Sequence, residues 1–210
     1  MSLYRPPAFA SDDRAAIARL FDQHPFATLI TSGAGEPQVS HLPLLLQSAP
    51  GPHGSLVGHM ARANPHWRHF GDGTTLAIFH GPHAYVSPSW YTEPASQVPT
   101  WNYAVAHVHG HAEIVADRAA TMATLQQMIE RFEGGRTVPW RLQLEGARLD
   151  AMVGAIVAFR IAIERIDAKF KLSQNKDEAD RRRVAAGLRN EAFADATATA
   201  DWMDREAGGD

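Results

Sequence analysis

The chain contains no cysteine. That absence excludes disulfide bridges, zinc–thiolate and iron–sulfur centres, and thiol nucleophiles. It also lacks any apolar run near the roughly 20 residues of a membrane-spanning helix, so no membrane partner is expected. Met1 to Asp13 carries Arg5, Pro6 and Pro7 and no long apolar stretch, unlike a secretory leader, and the expected location is cytoplasmic. Charge of one sign is missing too. Lys and Arg total 20 against 23 Asp and Glu, a formal net charge of -3. Such a balance argues against a large nucleic-acid footprint but leaves room for a local basic patch. Finally, histidine is absent after position 111: all 11 lie between His24 and His111, and the remainder is rich in Arg, Glu and Ala.

What is present suits a globular protein. A 45% hydrophobic fraction is too high for disorder. A chain of 210 residues fits one domain with an appendage. We expect a domain over 1–176, then a C-terminal helix and a flexible tail over 177–210.

Ser11 can cap a helix over about Asp12–Gln23, with Ile17, Leu20 and Phe21 at helical spacing. Pro25 ends it. Phe26–Thr31 reads as a strand, Gly33–Pro37 as a turn, Gln38–Leu46 as the returning strand and Ala49–Gly54 as a loop. Ser55–Met60 is a further strand, Ala61–Phe70 a short helix restarted at Pro65, and Thr74–Phe79 a strand resuming through Ala84–Val86. Ser87–Pro99 is a long loop of the kind that carries function. Thr100–Val115 alternates as a long strand. Asp117 caps the next helix, which Gly134-Gly135 stops. Leu142–Val153 reads as a helix, Ile156–Ile166 as the last strand and Asp177–Phe193 as a charged helix. About six or seven strands and four or five helices result. Short turns between early strands favour an antiparallel sheet, which commonly closes into a barrel. The expected class is α+β: an antiparallel split β-barrel with flanking helices and a C-terminal helix.

Five clusters hold chemistry. In Ser40-His41-Leu42-Pro43-Leu44, the proline marks an edge strand or bulge, and His41 is either a ligand contact or an exposed edge residue. In Gly58-His59-Met60-Ala61-Arg62-Ala63-Asn64-Pro65, a glycine permits close backbone approach. His59 and Arg62 stand at a helix start, the chemistry of a phosphate site or of a plain helix cap. Gly81 to Tyr91 is aromatic and proline-stiffened, able to wall a flat ligand or to plug a barrel end. Pro99-Thr100-Trp101-Asn102-Tyr103 leads to His107, His109 and His111, which share one strand face. Those imidazoles can bind metal or stand solvated. Lys169-Phe170-Lys171-Leu172-Ser173-Gln174-Asn175-Lys176 puts two amines on one side near a hydroxyl and two amides, suited to a phosphate or a heterocycle edge, or to a solvated connector.

Taken together, the motifs resemble the PaiB-type family of FMN-binding negative transcriptional regulators. Those that carry the resemblance are Tyr4-x-Pro6, Pro25-Phe26-Ala27-Thr28-Leu29, His41-Leu42-Pro43-Leu44, Gly58 to Trp67, Gly81 to Tyr91, Val98 to Tyr103, His107-Val108-His109-Gly110 and Lys171-Leu172-Ser173-Gln174-Asn175. The resemblance implies a split barrel similar to pyridoxamine-phosphate oxidases, homodimeric, with FMN at the subunit interface. It implies His59, Arg62 and Asn64 on the phosphate side, with Met60 beside them, and His41, Leu42 and Leu44 lining the flavin. Trp101, Asn102, Lys171, Ser173 and Gln174 would come from the partner subunit. The sequence departs from the oxidase pattern: His-Met-Ala-Arg stands where that family has a Ser-Arg-Lys junction, so its reaction does not carry over.

Three functions follow. One is a flavin-binding repressor; its DNA contact would fall to the basic run Arg181-Arg182-Arg183, which Asp177, Glu178 and Asp180 flank and which otherwise reads as a solvated helix face. The second is a flavin oxidoreductase using NAD(P)H or another small reductant, the cofactor supplying the chemistry. The third is haem or metal binding through His107, His109 and His111.

Overall fold

The computed structural model describes residues 3–33, 35–48 and 51–208. Ala34 of the expected turn, and Ala49 and Pro50 of the expected loop, lie outside them.

In chain order the elements are β1 (Ala10–Ser11), α1 (Arg14–Gln23), β2 (Phe26–Thr31), β3 (Gln38–Pro43), β4 (Leu45–Gln47), β5 (Ser55–Ala61), β6 (Thr75–Val86), β7 (Thr100–Ile114), α2 (Arg118–Glu133), α3 (Gly146–Gly154), β8 (Ile156–Lys171), α4 (Glu178–Arg189) and α5 (Ala196–Gly208). Short 3₁₀ turns occupy Pro7–Phe9, Pro65–His69, Pro88–Trp90 and Pro94–Ser96. The strands form one sheet in the order β3-β2-β6-β7-β8-β5-β4, with β1 also paired to β8. The pairings β1–β8, β2–β3, β2–β6, β4–β5 and β5–β8 are all antiparallel. Pro43 ends β3 at the edge of the sheet, where a missing N–H removes no ladder bond.

Two compact units divide the chain. The first comprises 1–23, 80–107 and 167–210, the second 24–79 and 108–166, so β6, β7 and β8 each run through both. The core of the first unit includes Leu20, Phe21, Val86, Phe170, Leu188 and Trp202; that of the second includes Leu29, Leu44, Leu56, Phe79, Phe159 and Ile161.

Several boundaries differ from the sequence reading, each for a local reason. The cap of α1 is Asp13, not Ser11: its Oδ1 accepts from Ala15 N at 2.8 Å and Ala16 N at 3.3 Å, while Ser11 pairs with Ala168 in the ladder. Ala61–Phe70 forms no α-helix. After Ala61 the chain turns, and Asn64 caps a 3₁₀ turn at Pro65 by accepting from His66 N at 3.0 Å. Gly81-Pro82 does not break β6, which runs unbroken from Thr75 to Val86. Past Ala194, where composition suggests a loose Ala/Thr/Asp tail, the chain forms α5. Its Thr199, Ala200, Trp202 and Met203 are buried, and the Trp202 ring meets Phe170 edge-on at 5.4 Å.

Candidate functional site

The residues singled out in sequence fall into two groups, one in each unit.

In the second unit, β3 and β5 carry most of the first group. His41 is exposed on β3, and its Nδ1 lies 3.2 Å from Thr28 Oγ1 across the β2–β3 pair. Leu42, Leu44 and Met60 are core side chains. Gly58 is required by close packing: a Cβ there would stand 2.7 Å from Leu44 Cδ2 and 3.1 Å from Pro43 O. The next residue, His59, is half-buried, and its Nδ1 is buried without a hydrogen-bond partner. Desolvation lowers the His59 pKa, holding the imidazole neutral. A neutral imidazole with one unsatisfied nitrogen is a ready donor or acceptor for an incoming group.

Arg62 and Asn64 have jobs of their own. Arg62 Nε donates to Gly154 O at 2.6 Å and Nη2 to Ile156 O at 2.8 Å, satisfying carbonyls where α3 passes into β8. Asn64, besides capping, donates from Nδ2 to Ser40 Oγ at 2.9 Å. Ser40 belongs to a polar network centred on His66, which the sequence reading does not single out. The His66 ring is 1% exposed; its Nδ1 is 2.8 Å from Ser40 Oγ and its Nε2 2.9 Å from Thr31 Oγ1, which in turn is 3.2 Å from Thr75 Oγ1. Burial, with a smaller push from His69, lowers its pKa to about 4. This is a structural histidine, neutral and doubly bonded. A polar residue at a helix cap in a proline turn is its one signal in the sequence.

The second group sits in the first unit. Trp101 stands exposed on β7, its ring 6.1 Å from Tyr85 and 6.4 Å from His83. Asn102 points the other way and is fully buried; its Nδ2 donates to Ser173 Oγ at 2.9 Å and reaches Met203 Sδ at 3.3 Å. Ser173 holds a left-handed φ of 66°, closing a turn in which Lys176 N donates to Ser173 O at 3.0 Å. Gln174 folds back on the same turn, accepting from Leu172 N at 2.7 Å and donating to Phe170 O. Asn102 and Ser173 therefore fasten the turn after β8 to β7, and Gln174 closes that turn on itself. Lys171 Nζ donates to Thr100 Oγ1 at 2.8 Å and Trp101 O at 2.7 Å. Burial, then Lys169 and Lys176, lower the Lys171 pKa. Residues of the adjacent strands β6 and β7 line a groove of about 550 Å³, among them His83, Trp101, Tyr103 and Val105. Its size and aromatic walls suit a flat ring.

The histidines of β7 do not form a metal centre. His111 Nε2 is 3.2 Å from Glu164 Oε1, and among the described residues no group of three His, Asp or Glu is placed to hold a metal ion. Among the described residues no helix is long and apolar enough to cross a membrane.

Comparison with known proteins gives these features a context. A family model described as "Putative FMN-binding domain" matches residues 3–165. The chain is 36% identical over 206 residues to protease synthase and sporulation protein PAI 2 of Bacillus subtilis (strain 168), covering 96% of this chain and 97% of that protein. It is 32% identical over 189 residues to an uncharacterized protein of Emericella nidulans, covering 73% and 75% of the two chains. Among solved structures, the FAD and haem binding protein of Mycobacterium smegmatis superposes with a TM-score of 0.62 at 22% identity, covering 85% of this chain and 80% of that one. The flavocytochrome Anf3 of Azotobacter vinelandii does so at 0.65 and 16% identity, covering 86% and 78%. These likenesses show the fold, an α+β antiparallel split barrel.

Proposed function

The chain belongs to the FMN-binding family whose model it matches, and on that premise we propose that it is a homodimeric flavoprotein that holds FMN where two protomers meet. The observation that carries this reading is His59: a half-buried imidazole with an unsatisfied, buried Nδ1 beside a glycine that brings β5 and the Pro43 carbonyl close together. Such an atom costs free energy unless a ligand meets it. His41, His59 and Arg62 of one protomer would face the flavin's polar groups, with Arg62 keeping Nη1 for a phosphate oxygen while its other nitrogens cap α3. Trp101 and Lys171 would be supplied by the partner. Exposed Trp101 and Val98 in one unit, and Phe132, Val138 and Trp140 in the other, support an association that buries apolar surface. Bound FMN would supply electron and hydride transfer chemistry. The chain's own residues bind and orient it and shield it from water. The test is FMN titration of wild type, His59→Ala and Trp101→Ala, with oligomeric state measured alongside. A tenfold or larger loss of affinity in each variant supports the assignment, and unchanged affinity in both refutes it.

Negative transcriptional regulation is the finer role that the family resemblance supports. Direct DNA contact would fall on Arg181-Arg182-Arg183, where Arg182 already pairs with Glu178 and Asp180 lies beside Arg183. A salt-sensitive gel shift abolished by Arg181→Ala and Arg183→Ala supports direct repression, and no shift at low salt refutes it.

A further inference from the structure

Arg62 shares its side of the second unit with another cation. A cavity of about 690 Å³ lies beside it, and Arg118, the first residue of α2, lines the same cavity. The lining is otherwise largely apolar, Val115, Val153 and Ile156 included, and Asp150 of α3 is the one acid among the lining residues. A cavity of this volume is within the range of small-molecule sites.

Both guanidiniums reach α3. Arg62 Nε donates to Gly154 O, and Arg118 Nη2 donates to Asp150 Oδ1. Asp150 and Gly154 are four residues apart, so they sit on successive turns of one helix face. The fold therefore brings two arginines to neighbouring points of one helix at the wall of one cavity, with one carboxylate against two positive charges.

The two arginines are held differently. Arg62 is bonded to uncharged backbone carbonyls and keeps Nη1 after those two bonds. Arg118 holds a carboxylate in an ion pair whose side chains are 58% and 61% exposed. Such an exposed pair contributes little to stability, because water screens it and both side chains lose freedom. Arg118 can therefore leave Asp150 at small cost for a stronger acceptor. A phosphate monoester is one: near neutral pH it carries close to two charges and three terminal oxygens, and guanidiniums meet it bidentately. Arg62 alone supplies one charge and does not balance it.

We infer that Arg118 is a second phosphate ligand of the FMN site, that it and Arg62 form a two-arginine clamp at this cavity, and that Asp150 holds Arg118 when no flavin is bound. The inference rests on FMN being the ligand. The clamp selects the phosphorylated flavin: riboflavin has the same ring and side chain but no phosphate, and gains nothing from it. Asp150 competes with the phosphate for Arg118 and so weakens FMN binding.

The experiment titrates wild type, Arg118→Ala and Asp150→Asn with FMN and with riboflavin, read by quenching of flavin fluorescence, with circular dichroism as the check on folding. Both side chains are exposed, so neither substitution disturbs the core. Wild type should bind FMN at least tenfold more tightly than riboflavin. Arg118→Ala should lose about tenfold or more in FMN affinity while riboflavin affinity stays within about twofold. Asp150→Asn should move the other way, tightening FMN roughly two- to tenfold and leaving riboflavin unchanged. Equal wild-type affinity for the two flavins, an unchanged FMN affinity or an equal loss for both flavins in Arg118→Ala, or no tightening in Asp150→Asn would each overturn the inference. Wild type that binds neither flavin refutes the flavin reading along with it. Wild type that prefers FMN, with the preference intact in Arg118→Ala, refutes the clamp alone.

Discussion

Acidification should unfold this protein through His66. In the native state the ring is buried, bonded at both nitrogens and titrates at about 4, against an ordinary value near 6.5. The unfolded chain therefore binds the proton first. Stability from this group is fully present above pH 6.5, declines as pH falls below it and is lost as pH passes through about 4. At pH 5 the unfolded imidazole is almost wholly protonated and the folded one about one-tenth so. That difference costs about 2 kcal/mol relative to pH 8, approaching about 3 kcal/mol at lower pH. For a chain of this size, 2 kcal/mol corresponds to a fall in Tm of roughly 4–8 °C. The assay is urea unfolding at pH 8 and pH 5 at one protein concentration, comparing wild type with His66→Gln. The glutamine can still bridge Ser40 and Thr31 but does not titrate. It should lower stability at pH 8 yet lose about 2 kcal/mol less than wild type on going to pH 5. An identical acid loss in both proteins would refute the reasoning, because the proton would then be taken up elsewhere. His59 shifts in the same direction and contributes to the loss in both.

Four further substitutions probe other links. Gly58→Ala forces a Cβ against Leu44, Pro43 O and, at 3.3 Å, the Phe159 ring; it should cost about 1–3 kcal/mol, and an unchanged denaturation midpoint would contradict the packing described. Asn102→Ala strands the Ser173 hydroxyl in a buried site and should cost about 1–3 kcal/mol, read by urea unfolding. Trp202→Ala opens a cavity beside Phe170 and should cost about 3–5 kcal/mol; a cost near zero would show that α5 does not dock. Arg62→Ala removes caps from an exposed helix end. It should change stability by about 1 kcal/mol or less while speeding amide exchange in α3, so a large loss of FMN affinity in this variant reports the phosphate contact rather than the fold.

Much of the architecture is legible in the sequence because its signals are local. Pro43 announces an edge strand, Asp117 caps α2 as its position suggests (Oδ2 accepts from Ala120 N at 2.7 Å), and alternation marks β7. Signals that depend on distant partners are harder to read. The residues of α5 look like a loose tail until Phe170 supplies a surface for Trp202. Asn64 looks like a ligand contact from its place after Arg62, yet its amide completes a turn and a buried network whose other members are 24 and 33 residues away, at Ser40 and Thr31. Alternation places Lys169 and Lys171 on one side of β8, but it cannot show that one amine meets oxygens and the other meets rings. The sequence sets His59 beside Arg62 in a candidate phosphate cluster, but its orphaned nitrogen exists only once β5 packs.

The most direct test of the flavin assignment is equilibrium titration of purified, flavin-free protein with FMN, following quenching of flavin fluorescence and the protein's oligomeric state together. Saturable binding to a dimer, weakened at least tenfold by His59→Ala, is the predicted result. A monomer, or a dimer whose addition leaves flavin fluorescence unchanged at every protein concentration, would contradict it.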